Sequence, residues 1–302
     1  MRHDHEGRRV SRRRLIAGVS SLGLGGLLAA CGPEQPAVTT STGAVVTPKA
    51  TTAKDLTSLF GGASTCRLTA STTQGPYYFD ADKIRSDIRE DKRGVRLRLA
   101  IKVQDSESCE PLPGAVVEIW HCDADGIYSG AESLSRGGGG APPGGNPPSG
   151  GPGPSGPPPT GAPPSGGPGG GQRGGQDGGH GDMGDLTPTD DERYLRGAQV
   201  TNGDGIVEFT TIWPGWYRGR TIHVHAMVHV STKRVLTTQM MFDESLNSAV
   251  MAKAPYSAHT GRDTFNDGDG IYRDEMLLKV TEEDGGYLGV IVFAADSDQD
   301  GT

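Results

Sequence analysis

Trp213-Pro214-Gly215-Trp216-Tyr217-Arg218-Gly219-Arg220-Thr221-Ile222-His223-Val224-His225 is a Pro/Gly/Trp turn that runs into an apolar segment reaching Val230. Residues 222–230 read as a β-strand. Strand side chains alternate faces, so His223 and His225 point the same way, with Cα atoms about 6–7 Å apart. Two imidazoles so placed can converge on one metal at about 2.0–2.1 Å. Tyr217 and Arg220 lie just upstream in the same turn. By the same alternation His229 shares the histidine face and competes as a ligand.

Working outward, residues 95–103 alternate strictly between apolar and polar, the mark of a half-buried strand. A Pro/Gly turn at 109–114 leads to a returning strand at 115–120. The loop 121–129 follows, with Asp-Gly turn chemistry at Asp125-Gly126. Residues 193–200, 206–212, 234–242, 275–280 and 287–295 read as further strands, with a hairpin turn at Asn202-Gly203-Asp204-Gly205. One short helix is expected near 246–253. Many short strands separated by Gly/Asn/Asp turns predict an all-β fold, a sandwich of mostly antiparallel strands with long loops and few short helices.

The chain has 302 residues, 48 of them glycine and 21 proline, and a net charge of −8. Its first fourteen residues hold six arginines against Asp4 and Glu6, so the remainder is more acidic still. An acidic chain with no basic patch argues against nucleic-acid binding. Ser11-Arg12-Arg13-Arg14 followed by the apolar run 15–30 has the character of a twin-arginine export signal, and that run is short for a membrane span. Leu28-Ala29-Ala30-Cys31-Gly32 resembles a bacterial lipobox, which implies cleavage and lipidation at Cys31. The expected organisation is a signal peptide at 1–30, a flexible tether at 31–60 and one domain at 61–302. A Gly/Pro/Ser-rich insertion at about 135–185 has nothing to bury and reads as disordered. The expected location is the outer side of the cytoplasmic membrane, held by a lipid anchor. With Cys31 lipidated, Cys66, Cys109 and Cys122 remain for one disulfide. A straight strand between Cys109 and Cys122 disfavours that pair; Cys66 with either partner stays open.

Two histidines need further ligands. No acidic residue lies near enough in sequence to complete a zinc or Fe(II) pattern, which leaves tyrosine. A phenol with a pKa near 10 binds as phenolate only to a strongly polarising cation, and Fe(III) suits that requirement better than Zn(II) or Fe(II).

Four ordered stretches carry a resemblance: Gly75-Pro76-Tyr77-Tyr78; Trp120-His121-Cys122-Asp123-Ala124 with Gly126-Ile127-Tyr128-Ser129; Leu195-Arg196-Gly197; and the 214–225 segment. Together they resemble the intradiol ring-cleavage dioxygenases, in particular the exported branch similar to protocatechuate 3,4-dioxygenase. The resemblance runs from about Cys66 to the C-terminus, apart from the Gly/Pro insertion. It implies a mononuclear non-haem Fe(III) held by Tyr128, Tyr217, His223 and His225, and a catecholic substrate that displaces Tyr217. It further implies that Arg220 meets negative charge building on the ring, and that Pro76, Tyr77 and Gln239 contribute to substrate binding. The implied reaction is ortho cleavage with O2 to a muconate-type diacid. Two other readings compete: a non-catalytic, transthyretin-like β-sandwich binding module, and a zinc hydrolase using His223, His225 and His229.

Overall fold

Leu97, Leu99, Ile101 and Val103 all lie on one face of β3 (Arg96–Asp105) and are fully buried. They are the inward half of the alternation read from the sequence. The computed structural model describes residues 66–136, 185–231 and 233–299, with Phe60 and a strand pair, β1 (Val38–Thr39) and β2 (Val45–Val46). The expected signal peptide, Cys31, most of the tether and the body of the Gly/Pro-rich insertion lie outside the described residues. No helix among the described residues is long and apolar enough to cross a membrane.

The other strands are β4 (Val116–Trp120), β5 (Arg196–Val200), β6 (Ile206–Ile212), β7 (His223–Val230), β8 (Lys233–Met241), β9 (Lys279–Glu283) and β10 (Gly286–Ala295). They form two four-stranded sheets, ordered β6-β3-β10-β9 and β5-β4-β7-β8. All pairings are antiparallel except β10 with β3, which run parallel. The all-β sandwich expected from the sequence is the fold observed. Boundaries shift most at β9, which begins at Lys279 because Asp274–Met276 forms a 3-10 turn. The short helix begins two residues early, as α2 (Glu244–Met251), because Asp243 caps it by accepting from the Ser245 N–H at 2.8 Å. A one-turn helix, α1 (Glu132–Ser135), precedes the insertion.

The main core lies between the sheets. Val224, Ala226 and Val228 of β7 and Val117 and Ile119 of β4 meet Leu97, Leu99 and Ile101 of β3 and Phe293 of β10 there. The alternate residues of β4 and β7 therefore face away from the sandwich. On that outer face Trp120 and Met227 pack with Tyr78, Cys122 and Tyr128 in a second, smaller core. Register aligns Arg196, Trp120, His225 and Gln239 in one row across β5, β4, β7 and β8. All four are buried, and none belongs to the inter-sheet core. Polar side chains are buried here because loops, rather than water, cover the outer face.

Cys66 is bonded to Cys109, and Cys122 is free and buried. This settles the pairing left open by the sequence. The bond ties the start of the domain to the β3–β4 turn. Cys122 instead directs its thiol at the Gly215 carbonyl, 3.4 Å away.

Candidate metal centre

Three loops and one strand bring the site together. The loop after β4 is closed by Asp123, whose carboxylate accepts from the Asp125 and Ile127 N–H groups at 3.0 Å each. Gly126 completes the turn with φ of +80°. A Cβ at Gly126 would strike the Trp216 carbonyl, so glycine is required for this loop to meet the turn that carries Tyr217. The Gly215 N–H donates to the Asp123 carbonyl at 3.0 Å, locking the two loops together. These contacts bring Tyr128 and Tyr217 together, with ring centroids 5.7 Å apart.

The Tyr217 turn is anchored on both sides. Trp213 is fully buried against Phe242, and its indole N–H donates to Asn247 at 3.2 Å. Trp216 stacks on His259 at 4.0 Å and donates to the His259 carbonyl at 3.0 Å. From the N-terminal side, the Thr72 N–H donates to the Thr237 carbonyl of β8 at 2.7 Å, drawing residues 74–77 over β7. Gly75, at φ +74°, lies so close to His225 that a Cβ would sit 3.0 Å from the ring. Tyr77 stacks on Tyr128 at 4.6 Å and meets Tyr217 edge-on at 6.2 Å. Trp120 lies parallel to His225 at 4.9 Å. The aromatic rings fix the histidine and both tyrosines against rotation.

The donor atoms converge. His223 Nε2 lies 3.1 Å from Tyr217 Oη and 3.1 Å from His225 Nε2. The Thr221 carbonyl lies 2.6 Å from His223 Nδ1 and can only accept, so that nitrogen carries the proton and His223 Nε2 is a bare lone pair. Tyr217 and His225 therefore compete for one acceptor. Tyr128 Oη and His225 Nδ1 are buried and make no well-directed hydrogen bond among the described residues, although the Tyr128 and Tyr217 hydroxyls lie close enough to influence each other. Unpaired buried polar atoms are costly, and a cation resolves the conflict by accepting all the lone pairs at once. A spacing of 3.1 Å also matches the edge between ligands held about 2.0–2.1 Å from one centre. The donor set fits a metal.

Electrostatics agree. Burial pushes the Tyr128 and Tyr217 phenols well above their usual pKa, and the Arg220 charge pulls both down. Burial, then the Arg220 charge, holds His223 at about 3. Burial, then His223, holds His225 well below 6.5. The imidazoles are thus neutral and ready to ligate, whereas phenolates need a cation nearby. Tyr128, His223 and His225 are buried, while Tyr217 is half-buried. Tyr217 is the one of the four that solvent can reach.

Four of the residues singled out in the sequence, Tyr128, Tyr217, His223 and His225, come together here. Pro76 and Tyr77 sit in one half-buried turn at the same place. Gln239 is wholly buried, and its oxygen accepts from Arg220 Nη2 at 2.5 Å. His229 keeps the histidine face, since β7 pairs with β4 in unbroken register and Val230 still packs on the inter-sheet core. It lies four residues beyond His225, however, about 13 Å along the strand and too far to share one centre. Among the described residues, no three His, Cys, Asp or Glu side chains are grouped to hold a metal, which removes the trihistidine zinc arrangement. Asp269 was missed, because its partner Arg220 is 49 residues away and its own loop reads only as turns.

The fold also has solved counterparts. An intradiol ring-cleavage dioxygenase from Tetranychus urticae is 28% identical with a TM-score of 0.59, covering 77% of this chain and 96% of its own. A second solved dioxygenase is 28% identical with a TM-score of 0.58, covering 77% of this chain and 95% of its own. The dioxygenase domain of a carbohydrate-binding fusion from Streptomyces sp. SirexAA-E is more distant, at 21% identity and a TM-score of 0.48, covering 76% of this chain and 99% of its own. No protein-family model matches the chain, and no curated protein matches it.

The buried imidazoles set an acid limit on the metal-free protein. His121, His223 and His225 are all held below their usual 6.5, first by burial. Above pH 6.5 neither folded nor unfolded chain protonates them, and stability is intact. As pH falls from 6.5 the unfolded chain binds protons that the fold refuses, so stability declines. Urea midpoints of the metal-free protein should fall between pH 7 and pH 5, and His223→Gln should flatten that slope. A slope unchanged by His223→Gln would contradict the placement.

Proposed function

We propose, for a chain that belongs to the intradiol ring-cleavage dioxygenase family and is an oxidoreductase, that Tyr128, Tyr217, His223 and His225 hold one ferric ion. The site then opens a catecholic ring between its two hydroxyl-bearing carbons, using O2 and giving a muconate-type diacid. The observation that carries this reading is the approach of Tyr217 Oη and His225 Nε2 to the same bare lone pair on His223, beside the orphaned Tyr128 Oη. Two phenolates favour a hard trivalent ion over zinc. Bound there, ferric iron supplies the electron-accepting centre through which an electron-rich ring becomes reactive toward O2.

The protein's own groups divide the remaining work. Tyr217, the half-buried member of the four, would be the ligand open to exchange with an incoming diol, and its Oη would then be placed to take a substrate hydroxyl proton. Tyr128, buried and stacked on Tyr77, stays in place. Tyr77 and Pro76 form the aromatic side of the substrate site. Arg220 supplies a fixed positive charge where negative charge develops on the ring. Gln239 serves the substrate site through Arg220, whose guanidinium it holds.

The sequence further supports export and anchoring. We assign residues 1–30 to a twin-arginine signal, Cys31 to lipidation and 31–60 to a tether, which places the catalytic domain outside the cytoplasmic membrane. Labelled palmitate should enter the expressed protein and be lost in Cys31→Ala; equal labelling of that variant would refute the anchor.

Oxygen consumption tests the reaction. The iron-loaded protein should take up O2 with a catechol and release a diacid carrying both oxygen atoms. Arg220→Ala should lower kcat by about 100- to 1,000-fold, the usual effect of removing one fixed charge-stabilising donor. Turnover of a catechol without ring opening would contradict the assignment.

A further inference from the structure

We infer that Asp269 is a positioning residue that presets Arg220 for the ring. The inference rests on the role given to Arg220 above. Asp269 follows the 3-10 turn Asn266–Gly268, a part of the chain remote from every other element of the site. Its side chain is 1% exposed. One carboxylate oxygen, Oδ2, accepts from Arg220 Nε at 2.9 Å and from the Thr221 N–H at 2.8 Å. The other, Oδ1, accepts from the Ile271 N–H at 2.8 Å, so the carboxylate cannot swing away. Burial pushes this carboxyl up, but the Arg220 charge and the two backbone donors outweigh it and hold the pKa below the usual range.

Arg220 is thereby held from two sides. Asp269 takes Nε, and Gln239 Oε1 takes Nη2. Nη1 has no hydrogen-bond partner among the described residues. An arginine side chain is flexible, and a substrate that had to order it would spend binding energy doing so. Here two acceptors on separate elements order it beforehand, which leaves the Nη1 end of the guanidinium for the ring. Gln239 alone fixes one nitrogen and leaves the plane free to turn, whereas a second acceptor at Nε fixes the plane. The same Oδ2 also accepts from the Thr221 N–H, which fixes the carboxylate beside Arg220.

The test is a double-mutant cycle on the iron-loaded full chain. Asp269→Asn keeps side-chain size and removes the charge. It should lower kcat for a catechol at least tenfold with a smaller change in KM, and leave iron content and the visible absorption band unchanged. Adding Asp269→Asn to Arg220→Ala should cost nothing further, because a residue acting only through Arg220 has nothing left to position. Wild-type turnover in Asp269→Asn, or losses that multiply in the double variant, would overturn the inference. Should Asp269→Asn fail to fold, Arg220→Lys decides. An ammonium keeps the charge but cannot hold both acceptors in the guanidinium geometry, so kcat should fall close to that of Arg220→Ala. A lysine variant near wild type would overturn the inference. Absence of catechol-dependent O2 uptake in the wild-type protein is a separate outcome, since it refutes the functional reading before any variant is made.

Discussion

Two neutral imidazoles and two phenols meet on the outer face of a β-sheet with one bare lone pair between them, and no arrangement of protons satisfies them all. That frustration is the constraint on which the rest of the structure depends. His223 is forced into a single tautomer by the Thr221 carbonyl, so the atom it presents inward is an acceptor. Tyr217 and His225 approach that atom together, and Tyr128 ends in an orphaned hydroxyl. Water would relieve such a group, but stacked rings and the Gly75 turn cover it. A multivalent cation is the partner that this chemistry calls for.

The fold serves that constraint through division of labour between the two faces of one sheet. The inward residues of β7 build the sandwich core, and the outward ones build the site. A strand is well suited to this because its period of two separates the roles without extra length. The loops then supply what a sheet cannot. Asp123 and Gly126 shape the Tyr128 loop, Trp213 and Trp216 pin the Tyr217 turn, and Gly215 joins the two. Arg220 stands outside the four proposed ligands but belongs to the same electrostatic unit: its charge eases both phenols toward ionisation and adds to burial in keeping both histidines neutral.

Much of this was legible in the sequence, for a physical reason. Strand alternation and Gly/Asp turn chemistry are local, so the strands and the shared face of His223 and His225 follow from neighbours in the chain. The tyrosines were legible through the ordered motifs they sit in. Where the reading failed, the deciding factor was a nonlocal contact or a distance. His229 does share the histidine face, but distance along the strand, about 13 Å from His225, keeps it from the group. Asp269 has no local pattern, and only folding brings its loop to Arg220. The Cys66–Cys109 pairing needed the path of the N-terminal segment, which no spacing reveals. Gln239, expected at the substrate site, is buried, and its oxygen accepts from Arg220, a contact that strand position alone does not show.

The central claim is that two tyrosines ligate ferric iron in this site. The visible absorption spectrum of the purified protein, read beside its metal content, tests it most directly. The account predicts about one iron per chain and a broad tyrosinate-to-iron charge-transfer band, which Tyr217→Phe shifts and weakens while Tyr77→Phe leaves it in place. A colourless protein carrying stoichiometric zinc, or an iron-bound band indifferent to Tyr217→Phe, would contradict it.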